Sequence, residues 1–145
     1  MGYTKTWIHL VWATKRREPV LTKSIRLKLF PHMRENAREK DIHVDFINGY
    51  VEHVHVLISL NANQCISKIV QLLKGESSYW INKNNITPEK FEWQDDYFAV
   101  SVSESDVNKV RQYIKNQEQH HLNKSFQFEY EEFVKKFGFV LLQDA

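Results

Sequence analysis

Two histidines, His53 and His55, occupy alternate positions of the apolar run VEHVHVLIS, residues 51–59. Residues two apart in an extended strand face the same way, so both imidazoles project together while Val54, Val56 and Ile58 take the other face. Such a pair can ligate one divalent ion, and the same spacing also suits two polar residues on a solvated face. Farther on, SDVNKVRQYIKNQEQHH sets Tyr113, Gln117 and His120 four and seven residues apart, which is one face of a helix. That face can carry a phenol and a carboxamide past a sheet bearing imidazoles. It equally describes a half-buried tyrosine beside a solvated glutamine. The chemistry the set would suit is phosphoryl transfer, since an attacking phenolate needs the charges on it and on the phosphate neutralised, which a divalent ion does. A phenol with an ordinary pKa of about 10 is protonated at neutral pH and needs a metal, a base or a leaving group to take its proton. Two nitrogen ligands make such a site tolerant of Mn2+ as well as Mg2+, whereas structural zinc would want a fourth protein ligand.

The elements that must position these groups follow from periodicity. Residues 3–13, YTKTWIHLVWA, predict a first strand with Ile8, Leu10 and Trp12 on one face and Trp7, His9 and Val11 on the other. After the basic loop KRREPVLT, Ile25, Leu29 and Met33 predict a helix over 23–40, with Pro31 marking a kink or a restart. Residues 41–60 read as two strands. Their turn falls either at Asn48-Gly49, the usual hairpin pair, or at Val51-Glu52. Ile66, Ile69, Leu73 and Trp80 predict a second long helix over 63–84, softly broken at Gly75, and alternation from Tyr97 onward predicts a fourth strand within 91–103. Ser105 reads as the N-cap of a helix over 105–121, with Val107, Val110 and Ile114 on its apolar face. A short terminal helix over 126–139 ends near Gly138. The order is that of an α+β, ferredoxin-like split βαβ sandwich, an antiparallel sheet with helices on one face, plus an added C-terminal helix carrying the tyrosine. That fold hosts many functions and decides none.

Length and composition narrow the class. The 145 residues suit one domain over 1–145, and 42% apolar with 26% charged residues is a globular balance. The formal net charge of +2 does not announce a partner, because clustering matters more than the total. Lys15, Arg16 and Arg17 form one basic group, and Lys68 and Lys74 another. With Trp12, Tyr79 and Trp80 nearby they read either as solvated surface or as a stacking and charge platform for single strands. One cysteine, Cys65, excludes an intrachain disulfide; without a signal pattern or an apolar span, the expectation is a soluble cytoplasmic protein. His120 and His121 read as further ligands, a proton shuttle, or the cation-favouring end of a helix.

Taken together, the segments IHLVWATKRREPVL (8–21), EHVHVLIS (52–59), FEWQDDYFAVSVSES (91–105), VRQYIKNQEQHH (110–121) and SFQFEYEEFVKKFG (125–138) resemble the single-tyrosine HUH transposases of small bacterial insertion sequences, the insertion sequence 200 group. They follow the family's order along nearly the whole chain. The resemblance implies that His53, His55 and Gln117 bind a divalent ion, Mg2+ or Mn2+, and that Tyr113 is the nucleophile. In the family this tyrosine attacks a single-stranded DNA phosphate, forms a 5′-phosphotyrosine and releases a 3′-hydroxyl; a later 3′-hydroxyl attack rejoins strands.

The resemblance further implies a homodimer that recognises DNA hairpins at element ends, with no membrane and no small-molecule cofactor. Lys15, Arg16, Arg17, Lys68 and Lys74 are then the candidate DNA contacts on charge alone. Two departures stand out: Asp95, Asp96 and Phe98 where a small residue or glycine is expected, and Glu52 where aspartate is common. The alternatives are a domesticated hairpin-binding protein without transposition, a rolling-circle or plasmid-transfer relative, and a transposase acting at scattered palindromic repeats. The short chain argues against the second of these.

Overall fold

The strand and helix order expected from periodicity is the one observed. The computed structural model describes residues 2–137. Four strands, β1 (Thr6–Ala13), β2 (His43–Gly49), β3 (His53–Leu60) and β4 (Phe98–Val102), form a sheet in the order β2-β3-β1-β4, with every pair antiparallel. Helix α1 (Lys23–Glu39) joins β1 to β2, and α2 (Ile66–Lys83) joins β3 to β4. This is the split βαβ arrangement. Three further helices follow, α3 (Val107–Lys115), α4 (Gln117–Asn123) and α5 (Phe126–Phe137). Gly138, the expected stop of the last helix, lies outside the described residues.

Strand alternation sorts the sheet into two faces. Ile8, Leu10, Trp12, Val54, Val56 and Ile58 pack with Leu29, Phe30 and Met33 of α1 and Ile69, Val70 and Leu73 of α2 in the main core. On the other face Trp7 and Leu57 meet Val107 and Ile114 of α3, while Val11 and Ala13 meet Phe126 and Phe133 of α5. The two crossover helices therefore take one face, and the added helices cover the face that carries His53 and His55.

Three local expectations are corrected. The β2–β3 turn spans residues 50–52, so of the two candidate positions Val51-Glu52 holds and Asn48-Gly49 does not. Asn48 and Gly49 are instead paired in the sheet with His55 and Val54. A Cβ on Gly49 would lie 2.3 Å from the His53 carbonyl oxygen, so the glycine permits a close strand approach. The helix expected over 105–121 breaks at Asn116 into α3 and α4. Asn48 Nδ2 donates to the Ile114 and Lys115 carbonyls at 3.0 and 3.1 Å, which satisfies acceptors at the end of α3. Ser105 is not the cap: it lies in a 3-10 turn, Glu104–Asp106, ahead of α3. By contrast α1 passes through Pro31 without a restart, because the proline is on the exposed side near Leu27, where water can satisfy the unpaired carbonyl.

Candidate active site

His53 and His55 lie on the central strand β3, and both are fully buried beneath the added helices. Each ring is held through Nδ1. The Nδ1 of His53 is 2.8 Å from Glu52 Oε1, and that of His55 is 2.9 Å from His9 Nε2 on the neighbouring strand. Glu52 thus keeps the carboxylate function expected at its position. Fixing one nitrogen aims the other, and both Nε2 atoms point at α4 and α5.

Helix α3 brings Tyr113 to the same place. Arg111 makes a two-pronged ion pair with Asp45 of β2, at 2.7 and 2.8 Å, and with the Asn48 contacts this docks the helix on the sheet. The Tyr113 ring then stands 5.5 Å from the His55 ring. Beyond the break at Asn116, Gln117 is fully buried and its Nε2 donates to the Tyr113 carbonyl at 3.2 Å. Its Oε1 is thereby turned to His53 Nε2, 3.0 Å away. The four residues singled out for chemistry are brought together within one chain.

Glu129 on α5 completes the cluster, and motif reasoning missed it. It is 1% exposed; its Oε1 lies 3.0 Å from His55 Nε2 and 3.5 Å from His53 Nε2, and its Oε2 accepts the Tyr113 hydroxyl proton at 2.6 Å. A signal for it existed. Phe126, Glu129 and Phe133 share the buried face of α5, and an acid on an apolar stripe needs a partner. His9, which the sequence marks only as a strand residue, also borders the site.

The donor chemistry of this cluster fits a cation. His53 Nδ1 is directed at Glu52, and its Nε2 faces two oxygens, Gln117 Oε1 and Glu129 Oε1. His121 Nδ1 donates to the Lys124 carbonyl at 2.7 Å, and its Nε2 faces Gln117 Oε1 at 3.2 Å and Glu129 Oε2 at 3.4 Å. His120 Nε2 is buried 3.0 Å from Glu129 Oε2 without hydrogen-bonding geometry. Imidazole nitrogens converging with a carboxamide and a carboxylate oxygen in a dry site are a donor set that suits positive charge between them. His53, His55 and Glu129 form a group able to hold an ion, and so do His120, His121 and Glu129. The last two histidines therefore face the site and are not merely a helix end.

Electrostatics follow from the burial. His9 is pushed down to about 3 by burial and by His55. His55 falls to about 4, burial outweighing the Glu129 carboxylate. Burial would raise Glu129, but hydrogen bonds from His121 and His55 hold it well below the usual carboxylate range. Burial would lower His121, yet Glu129 raises it above its ordinary value. Tyr113 is pushed up by burial and then by the charge and hydrogen bond of Glu129. The phenol opens on a cleft of about 250 Å³ lined by His9, Lys109, Glu132 and Lys136 among others.

The basic candidates scatter. Lys15 is exposed and paired with Glu92 at 2.9 Å, and the backbone N–H of Arg16 donates to Gln94. Lys74 donates to the Gln94 carbonyl and, at 3.0 Å, to that of Asp95, so its ammonium holds the loop in which Asp95 and Asp96 stand. Arg17 turns the other way, over the Phe126 and Tyr130 rings and onto Gln127 of α5. Lys68 is exposed on α2, and among the described residues no helix is long and apolar enough to cross a membrane.

Comparison with known proteins finds transposases of the same fold. A crystal structure of a transposase from Deinococcus radiodurans R1 superposes with a TM-score of 0.65 at 28% identity, covering 81% of this chain and 95% of that one. A REP-associated tyrosine transposase bound to a REP hairpin shares the fold, with a TM-score of 0.60 at 18% identity over 83% of this chain and 72% of that one. The ISDra2 transposase TnpA of Deinococcus radiodurans is 29% identical over 115 residues, 75% of this chain and 81% of that protein. A family description for IS200-like transposases matches residues 3–117, the stretch that runs from β1 through the histidine pair and Tyr113 to Gln117. The chain belongs to the IS200-like transposase family.

Proposed function

We propose that the protein cleaves and rejoins single-stranded DNA through a 5′-phosphotyrosine at Tyr113, with His53, His55 and Gln117 holding Mg2+ or Mn2+. The observation that carries this reading is the convergence of the Tyr113 phenol and the two imidazoles on one buried, acceptor-rich point. A bound divalent ion supplies charge neutralisation at the phosphate. The rest falls to the chain. Tyr113 Oη attacks phosphorus, the bond to the 3′ oxygen breaks, and the phenolic proton is balanced by the 3′-hydroxyl released. Gln117 and the break at Asn116 hold the backbone of the tyrosine, and His9 and Glu52 hold the histidine rings. Water is kept from the imidazoles by Phe126, whose ring stacks on His53 at 4.2 Å.

DNA hairpins are the proposed recognition element, a reading supported by the fold neighbour bound to a REP hairpin. Arg16 and Lys68 are the proposed charge contacts, since Lys15, Arg17 and Lys74 are engaged within the chain. The protein is proposed to act in the cytoplasm as a homodimer of one domain per chain, residues 1–145. The site is proposed to assemble within one chain, a reading supported by the Tyr113 ring standing 5.5 Å from that of His55.

The test incubates wild type and Tyr113→Phe with labelled single-stranded oligonucleotides carrying hairpins from the gene's own flanks, with Mn2+, Mg2+ or chelator. A metal-dependent covalent adduct on denaturing gels in wild type alone is expected. Hairpin binding by both proteins on native gels with an adduct from neither would replace this reading with a binder that no longer moves DNA.

A further inference from the structure

We infer that Glu129 is a fourth protein ligand of the divalent-ion centre, a carboxylate delivered by α5 that also positions the nucleophile. The inference rests on the reading that His53 and His55 hold an ion. It goes beyond the matched family stretch, which ends at Gln117, twelve positions before this residue.

Three observations support it. The first is placement: Glu129 Oε1 lies within 3.0 and 3.5 Å of the two imidazole Nε2 atoms, so the three ligand atoms surround a common point. The second is donor type. His53, His55 and Gln117 are neutral ligands, and an anionic oxygen adds both the charge and the hard donor that Mg2+ and Mn2+ favour. The third is that the carboxylate is held there by its helix. Phe126 and Phe133 bury one face of α5 against Val11 and Ala13 of β1, and Arg17 lies over Phe126 and Tyr130 at 5.1 and 4.9 Å. Among the described residues Glu129 faces imidazoles and a phenol and has no lysine or arginine within ion-pair distance, which leaves room for a metal ion as its cationic partner.

The two oxygens divide the work. Oε1 faces the imidazoles, and Oε2 takes the Tyr113 hydroxyl at 2.6 Å, so one carboxylate sets the distance between the ion and the phenol. Glu129 acts on the reaction as a metal ligand and as a positioning residue for Tyr113.

The test is Mn2+ binding to the full chain, by calorimetry and by the Mn2+ paramagnetic resonance spectrum, with no DNA present. Glu129→Gln should weaken Mn2+ binding at least tenfold, Glu129→Asp should recover part of the loss, and His55→Ala should abolish binding. Should Glu129→Gln fold poorly by circular dichroism, wild type grown with side-chain 13C-glutamate decides the matter through a carboxylate 13C coupling to bound Mn2+. If Glu129→Gln folds and binds like wild type while His55→Ala does not bind, the proposal is overturned and the metal reading stands. A missing 13C coupling overturns it equally. Absence of Mn2+ binding by wild type overturns both.

Discussion

The Tyr113 hydroxyl donates to Glu129 Oε2 at 2.6 Å, a bond that spans α3 and α5 and joins a residue the chain order makes conspicuous to one it does not. It links the phenol to the histidine pair, since the other oxygen of the same carboxylate touches His55.

Breaking that bond should change how the phenol titrates. Burial and the Glu129 charge both favour the protonated form, so Glu129→Gln should lower the Tyr113 pKa toward its ordinary value of about 10 while leaving the burial contribution in place. Carbon-13 resonances of labelled tyrosine, followed with pH in the metal-free protein and assigned with Tyr113→Phe, measure this. A Tyr113 titration unchanged by the substitution would show that the carboxylate charge does not reach the phenol.

Metal-free protein should lose stability on acidification. His9 and His55 titrate at about 3 and about 4 when folded, below the ordinary 6.5, so the unfolded chain binds more protons as pH falls through that interval. Glu129, depressed below the usual carboxylate range, works in the same direction once pH falls below its unfolded value, whereas His121, raised, opposes it. The slope should reach about 1 kcal/mol per pH unit for each unopposed imidazole. Chemical denaturation between pH 7 and pH 4 reads it, and a flat profile would contradict the buried neutral imidazoles.

Adding Mn2+ should raise the melting temperature. A ligand at one hundred times its Kd stabilises by about 2.7 kcal/mol. Calorimetric scans of wild type should show the shift, and His53→Ala should show none, because the substitution removes a ligand from the centre.

Gly49→Ala should be destabilising by about 1–3 kcal/mol, the usual range for overpacking. The new methyl would meet the His53 carbonyl at 2.3 Å, so β3 would have to move and take the histidine pair with it. Urea unfolding gives the loss, and weaker Mn2+ binding in the folded variant would show that strand spacing sets the site. Replacement at the exposed Gly75, where a Cβ meets nothing within 4 Å, is the control and should be neutral or stabilising.

Arg17→Ala should loosen α5. The guanidinium lies over Phe126 and Tyr130, contacts worth about 0.5–1 kcal/mol each at exposed sites. Hydrogen exchange should speed up in 126–137 and stay unchanged in α1, and protection that persists in α5 would place its docking energy in Phe126 and Phe133 alone.

Much of this was legible along the chain because helix and strand periods are local. Alternation put His53 and His55 on one face, the three- and four-residue spacing put Tyr113 and Gln117 on another, and the element order implied the split βαβ sheet. Local pattern could not reveal which distant groups meet. Asn48 looked like a turn residue and became the partner of the α3 carbonyls, because the turn shifted to residues 50–52 and left it in β2. Lys74, a candidate DNA contact on charge alone, also donates to carbonyls of the Gln94 to Asp96 loop, partners that no local pattern names. Glu129 looked like one acid among several in FQFEYEEF, and only the docking of α5 across the sheet carried it to histidines 74 and 76 positions earlier. Periodicity decides which way a side chain faces; what it faces is decided when helices bury their apolar stripes, and that partner is recorded in no single segment.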